Sequence, residues 1–228
     1  MLESQVSRES TIFPHGHILA FDLDGTLANS ENQIHRALSV ACLELLDLEI
    51  PQILVHENLG QPIHRMLSNI GIGQEYVESL IVNFRMELEK EILTHNDVFP
   101  SALDFLKTIR RLGFRTAVAT TKPTYLAKMV VGNSPLEALI DHVQGTDNFS
   151  PKPSPEIFTH IELKMKGKIL AMFGDRVEDI EAANSARITS IGIANGAHSV
   201  TKLLRSGASF AYESWEELAS SNLLARIL

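Results

Sequence analysis

The first long apolar run of the chain, HILAFDLD at 17–24, is nearly continuous rather than alternating, the pattern of a strand covered on both faces of a sheet. An Asp-Gly turn signal ends it at Gly25. The period then changes. Ser30 and Gln33 form a Ser-x-x-Gln capping box that opens a helix with Ile34, Ala37, Leu38, Ala41, Leu45 and Leu48 on one face, and Pro51 stops it. Two further helices are expected at 62–70, ended by Gly71, and at 74–93, where Val77, Leu80, Ile81, Phe84 and Leu88 share a face. From 30 to 95 the pattern is helical only.

At Pro100 strand and helix begin to alternate. Ser101 caps a helix ending at Gly113, and FRTAVATT (114–121) reads as a second buried strand. Pro123 suits a first helical turn, 142–146 a short strand, and Ser154 with Pro155 the start of another helix. KILAMFGD (168–175) is a third apolar strand, 177–186 is helical, and SIGIAN (190–195) and SFAYE (209–213) complete the series. Alternation of this kind predicts an α/β fold, a Rossmann-like parallel sheet with right-handed crossovers, and makes the helical block after the first strand an inserted subdomain.

Composition narrows the function classes. The 228 residues carry a formal charge of −8, and no run of Lys and Arg forms a stripe for polynucleotide phosphates, so neither nucleic acid nor membrane is an expected partner. Cys42 is the single cysteine and lies in a helical pattern, the setting of a small buried hydrophobe in a reducing cytoplasm. The first 16 residues are mixed polar and lack the apolar centre of a signal peptide. His15, His17 and His56 have no partners at metal-binding spacing, and Trp215 and the methionines read as packing.

In an open parallel sheet ligands bind beyond the carboxyl ends of the strands. Those positions agree chemically: Asp22 and Asp24 after the first strand, Thr120 and Thr121 after the second, Asp175 to Asp179 after the third apolar strand, and Lys152 in the loop SPKPSPE. Acidic groups converging on one edge stay ionised if a hard divalent cation with oxygen ligands neutralises them, which suggests Mg²⁺. An ionised Asp22 beside Mg²⁺ is a nucleophile able to attack phosphorus, and Asp24 suits a general acid and base. A Thr hydroxyl and a Lys ammonium supply the donor and charge that phosphoryl oxygens need. Each residue alone has a plainer reading: a lone Asp-x-Asp-Gly is a solvated turn, Thr120 a helix cap, Lys152 an exposed loop residue, Asp179 a first-turn acid facing the helix dipole. The order of the four together favours the chemistry.

At these residues the sequence resembles the haloacid dehalogenase superfamily of phosphohydrolases. Its motifs, Asp-x-Asp-Gly-Thr, Thr or Ser, a lone Lys, then Gly-Asp-x-x-x-Asp, correspond to Asp22 to Thr26, Thr120, Lys152 and Gly174-Asp175 to Asp179. The resemblance implies that Asp22 is the nucleophile and Asp24 the acid/base whose main-chain carbonyl also ligates Mg²⁺. It implies that Asp175 and Asp179 complete the metal site, making Asp22, Asp24, Asp175 and Asp179 the metal set. Thr120 and Lys152 would hold the phosphoryl group, with Thr26 and Thr121 in the phosphate-binding set. It further implies a core of 1–27 and 98–228 and a helical cap of 28–97, as in the subgroup similar to phosphoglycolate phosphatase and β-phosphoglucomutase. In that cap LGQPIHR (59–65) resembles the Gly-x-Pro-Leu loop, with Ile63 in place of Leu, and offers His64 and Arg65 for substrate selection; surface positions at a helix start are the alternative. Thr121 stands where Asn is usual, Ser101 and Arg187 where Gly is common, and Lys122 follows as either an anion-directing or an exposed lysine.

The expected function is a Mg²⁺-dependent phosphatase that hydrolyses a small phosphorylated metabolite through an aspartyl-phosphate. A phosphomutase ranks lower because Arg65 is the only cation at hand in the cap loop. A phospho-receiver module ranks lower still, since a receiver is about half this length and lacks the helical insertion.

Overall fold

Four residues of β1 (Ile18–Phe21) are fully buried and occupy the middle of a six-stranded parallel sheet, as a run apolar on both faces requires. The computed structural model describes residues 17–95, 97–195 and 197–227; the polar stretch 1–16, with its signal-peptide reading and His15, lies outside them. After β1 come four helices, α1 (Glu31–Leu46), α2 (Gln52–Asn58), α3 (Ile63–Asn69) and α4 (Gln74–Thr94). The chain then alternates: α5 (Pro100–Arg111), β2 (Arg115–Ala119), α6 (Thr124–Gly132), β3 (His142–Gln144), α7 (Glu156–Met165), β4 (Ile169–Gly174), α8 (Val177–Ser185), β5 (Thr189–Ile193), α9 (Val200–Arg205), β6 (Phe210–Tyr212), α10 (Trp215–Ser220) and α11 (Leu223–Ile227).

The sheet order is β3-β2-β1-β4-β5-β6, so the chain moves outward from β1 on one side, then returns to fill the other. The crevice at such a switch lies beyond the ends of β1, β2 and β4, the strands followed by the candidate residues. Apolar side chains cover both faces. On one, Phe21 stacks on Phe173 at 4.8 Å between centroids and meets Phe105 and Trp215; on the other, Ile18 and Ala20 pack with Ile157, Phe158 and Ile161. The helical block leaves and rejoins the sheet through two segments lying side by side, with Asn29 N–H donating to the Asp97 carbonyl at 2.8 Å and Phe99 N–H to that of Leu27 at 3.0 Å.

Several local expectations are corrected. Strand β1 ends at Phe21, so Asp22 and Asp24 sit in the turn beyond it, although Asp22 N–H still donates to the Phe173 carbonyl at 2.8 Å. The capping box at Ser30 does not form: Ser30 already has helical dihedrals, and its buried hydroxyl and the Gln33 amide nitrogen have no partner among the described residues. Helix α1 stops at Leu46 with Asp47 in the left-handed region, which leaves Leu45 and Leu48 exposed while Ile34, Ala37, Leu38 and Ala41 are buried. Helix α2 had no clear apolar period, and α5 begins at Pro100, with Ser101 inside its first turn rather than capping it. Arg187, just past α8, has φ 59°, which explains why Gly suits the position: an L side chain there costs about 1–2 kcal/mol.

Candidate active site

Side-chain oxygens of Asp22, Asp175 and Asp179 lie within 4.8 Å of one another, each side chain almost wholly buried. Three turns bring them together. Asp22 follows β1, Asp175 follows β4, and Asp179 sits in the first turn of α8, where its carboxylate also accepts from Arg176 N–H at 3.1 Å. The turn after β1 approaches this cluster closely: Gly25 has φ +85°, and a Cβ there would stand 2.5 Å from Asp175 Oδ2, so both backbone sign and space exclude a side chain. Thr26 donates its hydroxyl to Asp175 Oδ1 at 2.9 Å, and Ala197 N–H reaches Asp175 Oδ2 at 3.3 Å.

Lys152 closes the cluster. Its Nζ donates to Asp22 Oδ1 at 2.7 Å, to the Ala119 carbonyl at 2.8 Å and to Asp179 Oδ1, which uses all three ammonium donors in a buried setting. Burial works against that ammonium, but the carboxylates of Asp179 and Asp22 outweigh it and hold its pKa above the ordinary lysine value. Burial pushes the Asp22 carboxyl up to about 8, helped by the like charges of Asp179 and Asp175 against the pull of Lys152. Burial and Asp179 raise Asp175 to about 6, with the Thr26 hydroxyl opposing. Three carboxylates against one ammonium leave two negative charges, which a divalent cation would balance; a hard, all-oxygen donor set fits such an ion.

A pH dependence follows. Both raised values exceed the 3.8 of an ordinary aspartate, so without metal the folded chain holds these protons more tightly than the unfolded chain. Their contribution to stability is complete below pH 3.8 and is lost as pH rises through about 6 for Asp175 and about 8 for Asp22. Glu31 and Glu178 are shifted down and matter near and below 4.5, Lys152 stays charged throughout, and His142 and His198, held below the ordinary 6.5 by burial, add stability as pH rises towards 6.5 and oppose the trend there. In EDTA, Tm is therefore expected to fall between about pH 7 and about pH 9, above the histidine range, and a saturating divalent cation to raise Tm most at the alkaline end. Thermal melts across that range check it; a Tm in EDTA that is flat or rises contradicts the assignment.

Asp24 is separate from the carboxylate trio. Its side chain pairs with Lys122, Oδ2 to Nζ 3.1 Å, while its buried Oδ1 has no partner among the described residues. Both residues line a cavity of about 300 Å³ between the sheet ends and the helical block. Thr120 is buried at the end of β2, its hydroxyl accepting from Lys122 N–H at 3.3 Å. Two expected phosphate-binding hydroxyls are engaged elsewhere: Thr26 holds Asp175, and Thr121 donates to the Gly60 carbonyl in the α2–α3 loop at 2.7 Å. His64 is exposed and lines the cavity; Arg65 is exposed, reaches Gln61 at 3.4 Å and does not line it.

Sequence reasoning left one contributor undecided and missed the contacts of three others. Lys122, weighed as an anion-directing or an exposed lysine, is instead buried and paired with Asp24. Gln61 donates to Glu178, so the α2–α3 loop is held by the loop after β2 on one side of the site and by the first turn of α8 on the other. Gly60, at φ +79°, lies against the Arg176 side chain, where a Cβ would come within 2.5 Å of Cδ. Trp215 is more than packing: its indole N–H donates to the Thr26 carbonyl at 2.9 Å and fixes the turn that carries the carboxylates.

Residues 17–187 match the haloacid dehalogenase-like hydrolases. The chain belongs to that family. Among relatives of this haloacid dehalogenase-like hydrolase, a probable phosphatase, IndB, of Dickeya dadantii is 28% identical over 82% of this chain and 84% of its own. A phosphoglycolate phosphatase of Colwellia psychrerythraea is 24% identical over 90% of this chain and 96% of its own. The crystal structure of a predicted phosphatase from Clostridium acetobutylicum superposes with a TM-score of 0.81 at 24% identity, covering 92% and 99% of the two chains, which shows a shared fold. No helix among the hydrolase's described residues is long and apolar enough to cross a membrane.

Proposed function

We propose that this hydrolase is a phosphatase acting on a small phosphate monoester through an aspartyl-phosphate on Asp22. The observation that carries the reading is the buried trio of Asp22, Asp175 and Asp179 with Lys152 Nζ 2.7 Å from Asp22, set beside a cavity that Asp24 lines. Asp22, Asp175 and Asp179, with the main-chain carbonyl of Asp24, would hold Mg²⁺. When bound, that ion supplies the positive charge that keeps Asp22 ionised and neutralises the phosphoryl oxygens.

In this mechanism a carboxylate oxygen of Asp22 attacks phosphorus, forming a P–O bond as the ester P–O bond breaks. Asp24 gives its proton to the departing alcohol oxygen, then takes one from the water that cleaves the acyl phosphate, which returns Asp22 and releases inorganic phosphate. Lys152 and the Thr120 hydroxyl hold the phosphoryl oxygens, and Lys122 keeps the Asp24 carboxylate at the cavity. Residues 28–97 would act as a cap over a core of 1–27 and 98–228, closed by the Thr121–Gly60 and Gln61–Glu178 hydrogen bonds. Cys42, buried and with its thiol pushed up to about 11, supports a purely structural role in a reducing cytoplasm.

Arg65, the cap-loop cation on which the mutase reading rests, does not line the cavity. A panel of phosphorylated metabolites assayed for phosphate release with Mg²⁺, beside an EDTA control, tests the proposal. At least one small monoester is expected to be hydrolysed and EDTA to abolish the release; no release across the panel would defeat it.

A further inference from the structure

The cavity beside Asp24 has a chemistry of its own. Its lining is mixed: Met66, Phe84 and Leu88 from the helical block and Leu126 from α6 form an apolar wall, and Gln61, His64 and Thr146 add polar groups. A ring-sized apolar body placed against the four apolar side chains would be removed from water. The volume of about 300 Å³ lies at the lower edge of sites that take drug-sized ligands, more than a two-carbon alcohol fills.

One charge in the lining is unaccounted for. Arg85, on α4 between Phe84 and Leu88, is half-buried, lines the cavity and forms no ion pair with any described residue. Its neighbour one helical turn on, Glu89, is engaged by the Tyr125 hydroxyl. Asp147, the other carboxylate at the cavity besides Asp24, is exposed and accepts from Thr124 N–H at 2.9 Å. Lys122 is paired with Asp24. Arg85 is thus a guanidinium beside the apolar wall of a chamber whose core side carries the Asp24–Lys122 pair.

We infer that the substrate is a phosphate ester of an alcohol with a ring-sized apolar body and a second anionic group, and that Arg85 is the specificity-determining residue that reads that group. The inference rests on the phosphatase reading above and deepens it. A planar guanidinium binds a carboxylate through two parallel N–H donors, a geometry that a single point charge does not reproduce.

The test compares benzyl phosphate, 4-carboxybenzyl phosphate and phosphoglycolate in the wild type, Arg85→Gln and Arg85→Lys. In the wild type, kcat/KM for 4-carboxybenzyl phosphate is expected to exceed that for benzyl phosphate by about 10- to 100-fold, mainly through KM, and to exceed that for phosphoglycolate. Arg85→Gln should bring the carboxybenzyl-to-benzyl ratio close to one, and Arg85→Lys should keep part of it, a graded rescue that a merely structural role would not give. A wild-type ratio near one, or a ratio unchanged in Arg85→Gln, overturns the inference while leaving the phosphatase reading intact. Phosphoglycolate preferred over 4-carboxybenzyl phosphate overturns the ring-sized body. If no ester, including those of the wider panel, releases phosphate, the phosphatase reading itself has failed.

Discussion

Replacing Asp22 with Asn is expected to lower kcat by at least about four orders of magnitude, the scale seen when a nucleophile that acts as part of a unit is removed. The amide is nearly the same size as the carboxylate, so the buried site keeps its shape while losing the oxygen that would bond to phosphorus. Stability should move the other way. In the metal-free wild type the Asp22 carboxyl is pushed up to about 8 because its charged form is costly among Asp179, Asp175 and low-dielectric surroundings. A neutral side chain avoids that cost, so in EDTA at alkaline pH the variant should melt at a higher temperature than the wild type. Loss of turnover from a better-folded protein separates a chemical role from a structural one. Steady-state kinetics on the best ester of the panel, with melts in EDTA, make the comparison; a kcat within tenfold of wild type would remove Asp22 from the role.

What the sequence made legible was the part written in short, local patterns. Continuous apolar runs identified β1, β2 and β4 because strands covered on both faces leave no polar alternation, and the chemistry-bearing residues follow those strands directly. The α/β class and the position of the helical block came from the same rhythm. Less legible was how hydroxyls and cations are shared among distant segments. Thr26 and Thr121 are well placed in sequence for phosphate, yet one donates to Asp175 and the other to Gly60, choices set by tertiary neighbours 149 and 61 residues away. Asp24 reads as a member of the carboxylate group by spacing alone, but once β1 ends at Phe21 the turn carries its side chain to Lys122. The Trp215 hydrogen bond spans 189 residues and left no trace in any local pattern. At Ser30 the box motif was present and the geometry was not, because a residue already in helical dihedrals does not aim its hydroxyl at the orphan amides.

Lys152 is where stability and chemistry meet most directly, and Lys152→Met should damage both. The substitution keeps a chain of similar length and removes an ammonium that donates to Asp22, Asp179 and the Ala119 carbonyl, all buried. Breaking a buried pair by deleting one partner costs about 3–5 kcal/mol, because the remaining charges have neither water nor counter-ion. Here the loss has a pH signature: near pH 5 the Asp22 carboxyl, already raised to about 8, can hold a proton in place of its lost partner, whereas near pH 9 it cannot, so the penalty should grow with pH. Divalent cations should still bind the variant, since three carboxylates are left without an opposing charge, and should restore much of the lost Tm. They should not restore turnover. The ammonium contacts Asp22 directly, where charge shifts onto the phosphoryl group, and removing such a donor typically lowers kcat by about two to three orders of magnitude. Melts at the two pH values with and without metal, alongside kcat for the metal-loaded variant, separate these effects. If Lys152→Met keeps wild-type kcat once loaded, the lysine only balances charge, and the ion alone would be handling the phosphoryl oxygens.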